Sequence, residues 1–145
     1  MKNTICLIVV MIFGFATHII AAQHVGFIKR LSGDVGIRRG EMVVTALAGE
    51  QLFNKDILIT KPNGSAGIIF TDGTTLALGP NTEFSIDNFL FEPENEAYDF
   101  SAYLKKGSAL YNSGKIGKIS PDAVNLSTPR ATVVIRGTRF ILKAE

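Results

Sequence analysis

Three groups of residues in this sequence have types and spacings that can do chemistry. The first is acidic: Glu92, Glu94 and Glu96 alternate with Pro93 and Asn95, just downstream of Asp87 and Asn88. Hard oxygen ligands of this kind can hold Ca²⁺, but the spacing fits no calcium loop and Pro93 interrupts it, so a solvated acidic loop is expected. The second is basic: Lys105, Lys106, Lys115, Lys118, Arg136 and Arg139 gather toward the C-terminus and are the candidate anion-binding side chains. The third is Arg136-Gly137-Thr138, which lies between two strand-like runs with no Pro or Asn to make an ordinary turn. Gly137 there reads as a bulge or a point of close backbone approach. The Arg136 guanidinium reads as a fork for buried carbonyls or for a carboxylate such as Asp72 or Asp87, either as a structural lock or as a ligand-reading arginine.

The catalytic inventory beyond these is thin. Past residue 22 the chain has one histidine, His24, and no cysteine. Nucleophile–base chemistry needs a positioned base, and a histidine near a terminus is a poor one. Soft or imidazole-rich metal sites lack their ligands. Paired carboxylates for glycoside cleavage depend on a separation in space, and a domain of this size leaves little room for a deep cleft. The expectation is a protein that is not an enzyme, with no cofactor and no metal.

Charge is distributed unevenly. From Pro62 to Leu104 there are seven acids and no Lys or Arg; from Lys105 to Lys143 there are eight bases and one acid, Asp122. This pattern has two readings: acidic and basic strands that are sheet neighbours and pair across the ladder, or a two-signed surface that steers a charged partner. A formal net charge of +2, with no aromatics interleaved in the basic stretch, does not fit a nucleic-acid binder.

The elements that must position these groups are strands. The chain has 145 residues, 46% hydrophobic and 19% charged, which fits one folded domain. The clearest period is two: Phe100 and Leu104 fall on one face and Asp99, Ser101 and Lys105 on the other. Val124 and Leu126 alternate with Asn125 and Ser127, Phe140 and Leu142 with Arg139 and Lys143, and Val133-Val134-Ile135 suits a strand covered on both faces. Turn signals cut the runs. Asp72-Gly73 reads as a two-residue hairpin with both residues free to take positive φ. Pro62 and a left-handed Gly64 turn Lys61–Ser65, Gly79-Pro80-Asn81 precedes Thr82, and Lys106-Gly107 separates two strands. About ten short strands result. Glu41–Leu52 is the one weak helix candidate, and Pro93–Glu96 and Ser113–Asp122 read as loops. The fold class expected is all-β, an antiparallel sandwich or jelly-roll-like stack of hairpins in a single domain.

Residues 1–22 read as a secretory signal peptide: Lys2, an apolar run from Ile5 to Phe15, then Ala21 and Ala22 before Gln23. Cleavage would remove Cys6, the only cysteine, and no second apolar run of membrane length follows. A periplasmic or secreted domain of residues 23–145 without disulfides is expected.

Several short elements occur in a characteristic order. They are Gly33-Asp34-Val35, Leu52–Thr60, Gly64-Ser65-Ala66, Phe70-Thr71-Asp72-Gly73-Thr74, Leu78-Gly79-Pro80-Asn81-Thr82, Lys106-Gly107, and Ser127-Thr128-Pro129 followed by Ile135-Arg136-Gly137-Thr138-Arg139-Phe140. Over Val25–Leu142 this resembles the FecR domain family of bacterial envelope proteins. The motif positions are Asp72, Gly73, Thr74, Pro80, Asn81, Pro129, Arg136, Gly137 and Thr138. The resemblance implies an all-β periplasmic domain. In the best-known members it receives a signal from an outer-membrane receptor and relays it to a sigma factor. Here a signal peptide stands where those members have a cytoplasmic segment and a membrane helix, so the chain looks like the stand-alone exported form. The expected role is contact with an envelope protein, an outer-membrane or periplasmic component, by a sheet edge or by the two-signed surface. The alternative is binding of a glycan or other anionic envelope polymer by Lys105, Lys106, Lys115, Lys118, Arg136 and Arg139.

Overall fold

The computed structural model describes residues 21–135 and 137–145. Most of the signal-peptide reading, and every reading of Arg136, therefore lies outside the described residues. The strands are β1 (Gly26–Ser32), β2 (Val35–Arg39), β3 (Met42–Thr45), β4 (Gln51–Leu52), β5 (Ile57–Thr60), β6 (Ser65–Phe70), β7 (Thr75–Leu78), β8 (Glu83–Glu92), β9 (Ala97–Asn112), β10 (Val124–Ser127), β11 (Thr132–Val134) and β12 (Arg139–Ala144). One short helix, α1 (Lys115–Ile119), and two 3₁₀ turns at Pro93–Asn95 and Pro121–Ala123 interrupt them. The fold is all-β and single-domain, as the alternation predicts.

Hydrogen bonds join the strands into one curled sheet with two halves. Half I runs β4-β1-β6-β7-β9-β12, and half II runs β3-β2-β5-β8-β9-β10-β11. Neighbours are antiparallel except β10, which lies parallel to β9 with Val124 opposite Phe100. β9 belongs to both halves. Its first part pairs with β8 and β10, and its second part, from Gly107, pairs with β12 and β7.

The halves close on a single core. Phe70 of half I stacks on Phe89 of half II with ring centroids 5.1 Å apart, and Phe100 lies 4.7 Å from Phe70. Ile28, Ile68 and Leu76 from one half and Ile37, Leu58, Phe84 and Ile86 from the other are fully or almost fully buried around them. Burying such side chains contributes roughly 1.5–3 kcal/mol each, which is how a domain without disulfides is held.

The chief departure from the sequence reading lies at Lys106-Gly107, which is not a turn. The chain continues as one strand of 16 residues. The inward set changes there from Phe100, Ala102 and Leu104 to Ala109 and Tyr111, because the register shifts opposite Glu83 and Phe84 and leaves Lys105 as the extra residue. A bulge reverses the alternation, and Gly107 (φ +92°) bends the strand out of half II into half I.

Three turns also differ. In Phe70–Thr74 only Gly73 takes positive φ (+84°); the Gly73 N–H donates to Phe70 O and the Phe70 N–H to Thr74 O, so the loop has three residues. Gly64 is not left-handed. It is small because a Cβ there would stand 2.3 Å from Asp34 O. Ser113–Asp122 contains α1 rather than a plain loop, while Glu41–Leu52 supplies β3 and β4 rather than a helix.

Candidate functional site

The buried polar residues form three constellations, and each holds a turn. In the first, Asp72 is buried. Its carboxylate accepts from the Thr74 N–H (2.8 Å), the Thr74 hydroxyl (2.7 Å) and the Ile116 N–H (3.1 Å), and Asp72 O accepts from the Lys115 N–H (2.9 Å). The Gly114 N–H donates to the Thr74 hydroxyl at 3.1 Å, so the Asp-Gly-Thr turn positions the start of α1. Beside it the buried Tyr111 hydroxyl has no hydrogen-bond partner of good geometry among the described residues, with the Ser113 and Thr74 hydroxyls near it. Burial raises the Tyr111 phenol above its ordinary value, those two hydroxyls oppose the shift, and the Asp72 charge adds to it.

In the second constellation Thr60 and Thr82 secure the crossing of β9. The Thr60 hydroxyl donates to Gly79 O (2.7 Å) and accepts from the Thr82 N–H (2.9 Å), while the Ser108 N–H donates to the Thr82 hydroxyl (3.1 Å). Pro80 and Asn81 (φ +52°) shape this turn. In the third, buried Asp56 accepts two parallel bonds from the Arg39 guanidinium, both 2.8 Å, and one from the Phe53 N–H at 2.9 Å. Arg39 also lies 4.7 Å over the Phe53 ring. The Asp56 hydrogen bond raises the Arg39 pKa above its usual value, against partial desolvation. Sequence reasoning missed this pair, and the one signal available was an acid placed directly before the apolar run Ile57-Leu58-Ile59.

Of the sequence-predicted basic residues, the five described ones are spread over β9, α1 and β12. Lys105 reaches Glu83 on the neighbouring strand at 3.3 Å, and Arg38 reaches the same carboxylate oxygen at 3.5 Å. Lys106 is exposed beside Lys105, Lys115 stands 5.9 Å over the Phe91 ring, and Lys118 is exposed on α1. Arg139 lies in half I, at the far end of β9, opposite Asn112. The two carboxylates offered to Arg136 have other donors: Asp72 those above, and Asp87 the Ser85 hydroxyl at 2.7 Å. Gly137 is exposed, and a Cβ built there meets no heavy atom within 4 Å, so no close backbone approach requires a glycine at that position. Thr138 O accepts from the Ser113 N–H at 2.7 Å, and Pro129 sits in the β10–β11 turn, whose Thr128 N–H donates to Ala131 O at 2.7 Å. Among the described residues no cluster of three or more His, Cys, Asp or Glu is placed to hold a metal ion.

Among the described residues two surfaces bear on binding. β3 pairs only with β2, and its free edge shows Met42 and Val43, 69% and 62% exposed, with Leu47 at 64% just beyond. The outer face of half I carries Lys29, Arg30 and Arg139 around Gly67, Ala77 and Leu110.

Together these features define an all-β domain of stacked hairpins whose buried carboxylates serve its own turns and whose open surfaces are an apolar edge and a basic face. The chain belongs to the FecR family: the family described as FecR protein matches residues 56–145. The match takes in the Asp-Gly-Thr turn, the Gly-Pro-Asn-Thr turn and the Thr-Pro…Arg-Gly-Thr end, and leaves out Val25–Lys55, where the ordered motifs also read as familiar. The family is a regulatory, signalling one associated with the bacterial envelope. No curated protein and no solved structure matches the chain. Among the described residues no helix is long and apolar enough to cross a membrane.

Proposed function

We propose that this chain is an exported, non-enzymatic FecR domain that acts by binding another protein of the envelope, an outer-membrane or periplasmic component, along the free edge of β3. The observation that carries this reading is the edge itself. Met42-Val43-Val44-Thr45 holds no charge, no proline and no bulge, the devices by which sheet edges are ordinarily blunted. An extended segment of a partner can add to such an edge through main-chain hydrogen bonds, with exposed Met42, Val43 and Leu47 supplying apolar contact. Buried Asp56, Thr60, Asp72, Thr74 and Thr82 support the same reading, since each is engaged in holding a turn. A secretory signal at residues 1–22 would deliver the domain to the compartment where that partner resides.

A photocrosslinker placed at Val43 in the producing cell tests this, with one at exposed Lys61 as control. The expected result is one discrete adduct from position 43, none from position 61, and loss of the adduct when Thr45→Lys, at an exposed position of the same edge, is added. No adduct from position 43, or an adduct indifferent to that lysine, overturns the reading.

A further inference from the structure

The outer face of half I differs from that of half II in its charge. Strand pairing fixes its rows: Arg30, Gly67, Ala77, Leu110 and Ile141 lie abreast across five strands, and Phe27, Ile69, Thr75, Asn112 and Arg139 form the next row. No strand of half I contains Asp or Glu from Gly107 onward in β9 or anywhere in β1, β4, β6, β7 and β12. Its cations stand at the two sides. On β1 the register shifts between Ile28 and Arg30, so Lys29 is a bulge residue, and Lys29 and Arg30 both face outward between buried Ile28 and half-buried Leu31. On β12 the outward residues are Arg139, Ile141 and Lys143, with Glu145 beyond the end of the strand. None of these four cations forms an ion pair among the described residues.

The floor between these two rails is low and uncharged. Gly67 has no side chain, and the Arg30 stem lies across it, with Cγ 3.2 Å from where a Cβ would stand. Ala77 is next, and Leu110 and Ile141 complete an apolar strip, Ile141 being 64% exposed. Four inter-strand steps separate the rails, about 19 Å. A depression bounded by cations suits a narrow, acidic, partly apolar occupant better than a plane.

This chain carries such an occupant. Beyond Phe89 the ends of β8 and β9 pair only with each other, Leu90 with Asp99, Phe91 with Tyr98 and Glu92 with Ala97, and so form a two-stranded arm. Its tip presents Glu92, Glu94 and Glu96, all exposed, while the Phe91–Tyr98 ring pair, 6.0 Å apart, packs half-buried against the core and braces the shaft. Lys115, over Phe91, is the cation at its base. Two strands with side chains are roughly 10 Å across, narrow enough to lie between the rails.

We propose that the acidic β8–β9 arm of one molecule seats on the cationic outer face of half I of a second copy. The contact is head-to-tail: each molecule offers an arm and a face, so the association extends into chains of copies rather than closing as a two-fold dimer. The β3 edge takes no part in it, so this inference stands independently of the partner proposed above.

Charge exchange tests it, using protein purified after expression of the full chain and followed by sedimentation velocity over a concentration series. At low ionic strength the wild type is expected to associate with concentration, and at about 1 M salt, where the Debye length is about 3 Å, to sediment as a monomer. Lys29→Glu/Arg30→Glu reverses one rail, and Glu92→Lys/Glu94→Lys/Glu96→Lys reverses the arm. Each variant alone is expected to weaken association on the order of ten-fold or more. Mixed in equal amounts the two regain it, because the acidic arm of the rail variant then meets the unaltered cationic face of the arm variant. A wild type that stays monomeric at low salt, association indifferent to either reversal, or a mixture no better than its components overturns the proposal. Circular dichroism unchanged in both variants keeps a folding defect from imitating the expected loss.

Discussion

The two outer faces of this molecule are built on the same scaffold and use charge in opposite ways. On half II the charges alternate in sign and meet across the ladder: Arg38 on β2 and Lys105 on β9 both reach Glu83 on β8. On half I the four cations have no acidic neighbour on their strands and frame an uncharged floor. Cross-strand pairing neutralises one face and leaves the other with a field. The basic residues of the sequence therefore divide into those engaged in the fold and those available to a partner, and linear clustering does not show which is which. Lys105 and Lys106 are adjacent in sequence, like Lys29 and Arg30, and each pair sits at a bulge. One pair has an acid opposite and the other does not.

The largest expected effect breaks the comparison by separating the halves. Gly107 has φ +92°, and a Cβ there would stand 2.2 Å from the Thr82 hydroxyl oxygen and 2.5 Å from its Cα. Gly107→Val is expected to cost more than about 3 kcal/mol and to unfold both halves together in urea. A variant that melts half II alone, seen as two transitions by hydrogen exchange, would show that β9 does not bind the halves into one unit.

Removing the buried carboxylates sharpens the comparison half by half. Asp56→Ala leaves the Phe53 N–H unpaired and frees the Arg39 fork, and Asp72→Ala removes the acceptor of two Thr74 donors in the β6–β7 turn and of the Ile116 N–H in α1. Each is expected to cost about 2–3 kcal/mol in urea melts. Asp56→Ala should raise exchange first in β2 and β5, and Asp72→Ala first in α1 and the β6–β7 turn.

Tyr111 gives a pH signature. Its folded pKa is raised by burial, so the stability linked to its protonated form is complete below the ordinary phenol value of about 10 and is lost as pH rises through the folded value. Wild-type stability is therefore expected to fall more steeply above pH ~10 than that of Tyr111→Phe in urea melts over a pH series. The smallest effect concerns the paired face. Lys105→Ala is expected to change stability by less than about 1 kcal/mol and to leave association untouched, in contrast to reversal of Lys29 and Arg30.

Much of this architecture is legible in the sequence wherever alternation and turn chemistry agree. Phe100, Leu104, Val124 and Leu126 are buried where period two places them. The Gly-Pro-Asn-Thr and Asp-Gly-Thr stretches are turns whose side chains bond back to the chain. What escapes is whatever depends on residues distant in sequence. Gly107 looks like a turn because a glycine after two lysines ends an alternating run, and only the Thr82 side chain shows that the strand goes on. The Arg39–Asp56 fork spans 17 residues and two strands. α1 carries glycine at 117, and a helix of five residues has too short a period to register. The open face of half I is hidden for another reason: its cations come from opposite ends of the described chain, Lys29 and Arg139, and only sheet order sets them on one surface.

One strand shared by two layers has a mechanical meaning. β9 leads from the acidic arm at Ala97, past the Gly107 bend, to the partner of β12 at Asn112, a path of roughly 50 Å along one continuous strand. A load applied at the arm passes through backbone hydrogen bonds to the opposite layer without crossing a loop. The domain is braced along the line that joins its two charged poles, and tension between neighbours strung arm to face would be borne by that single spine.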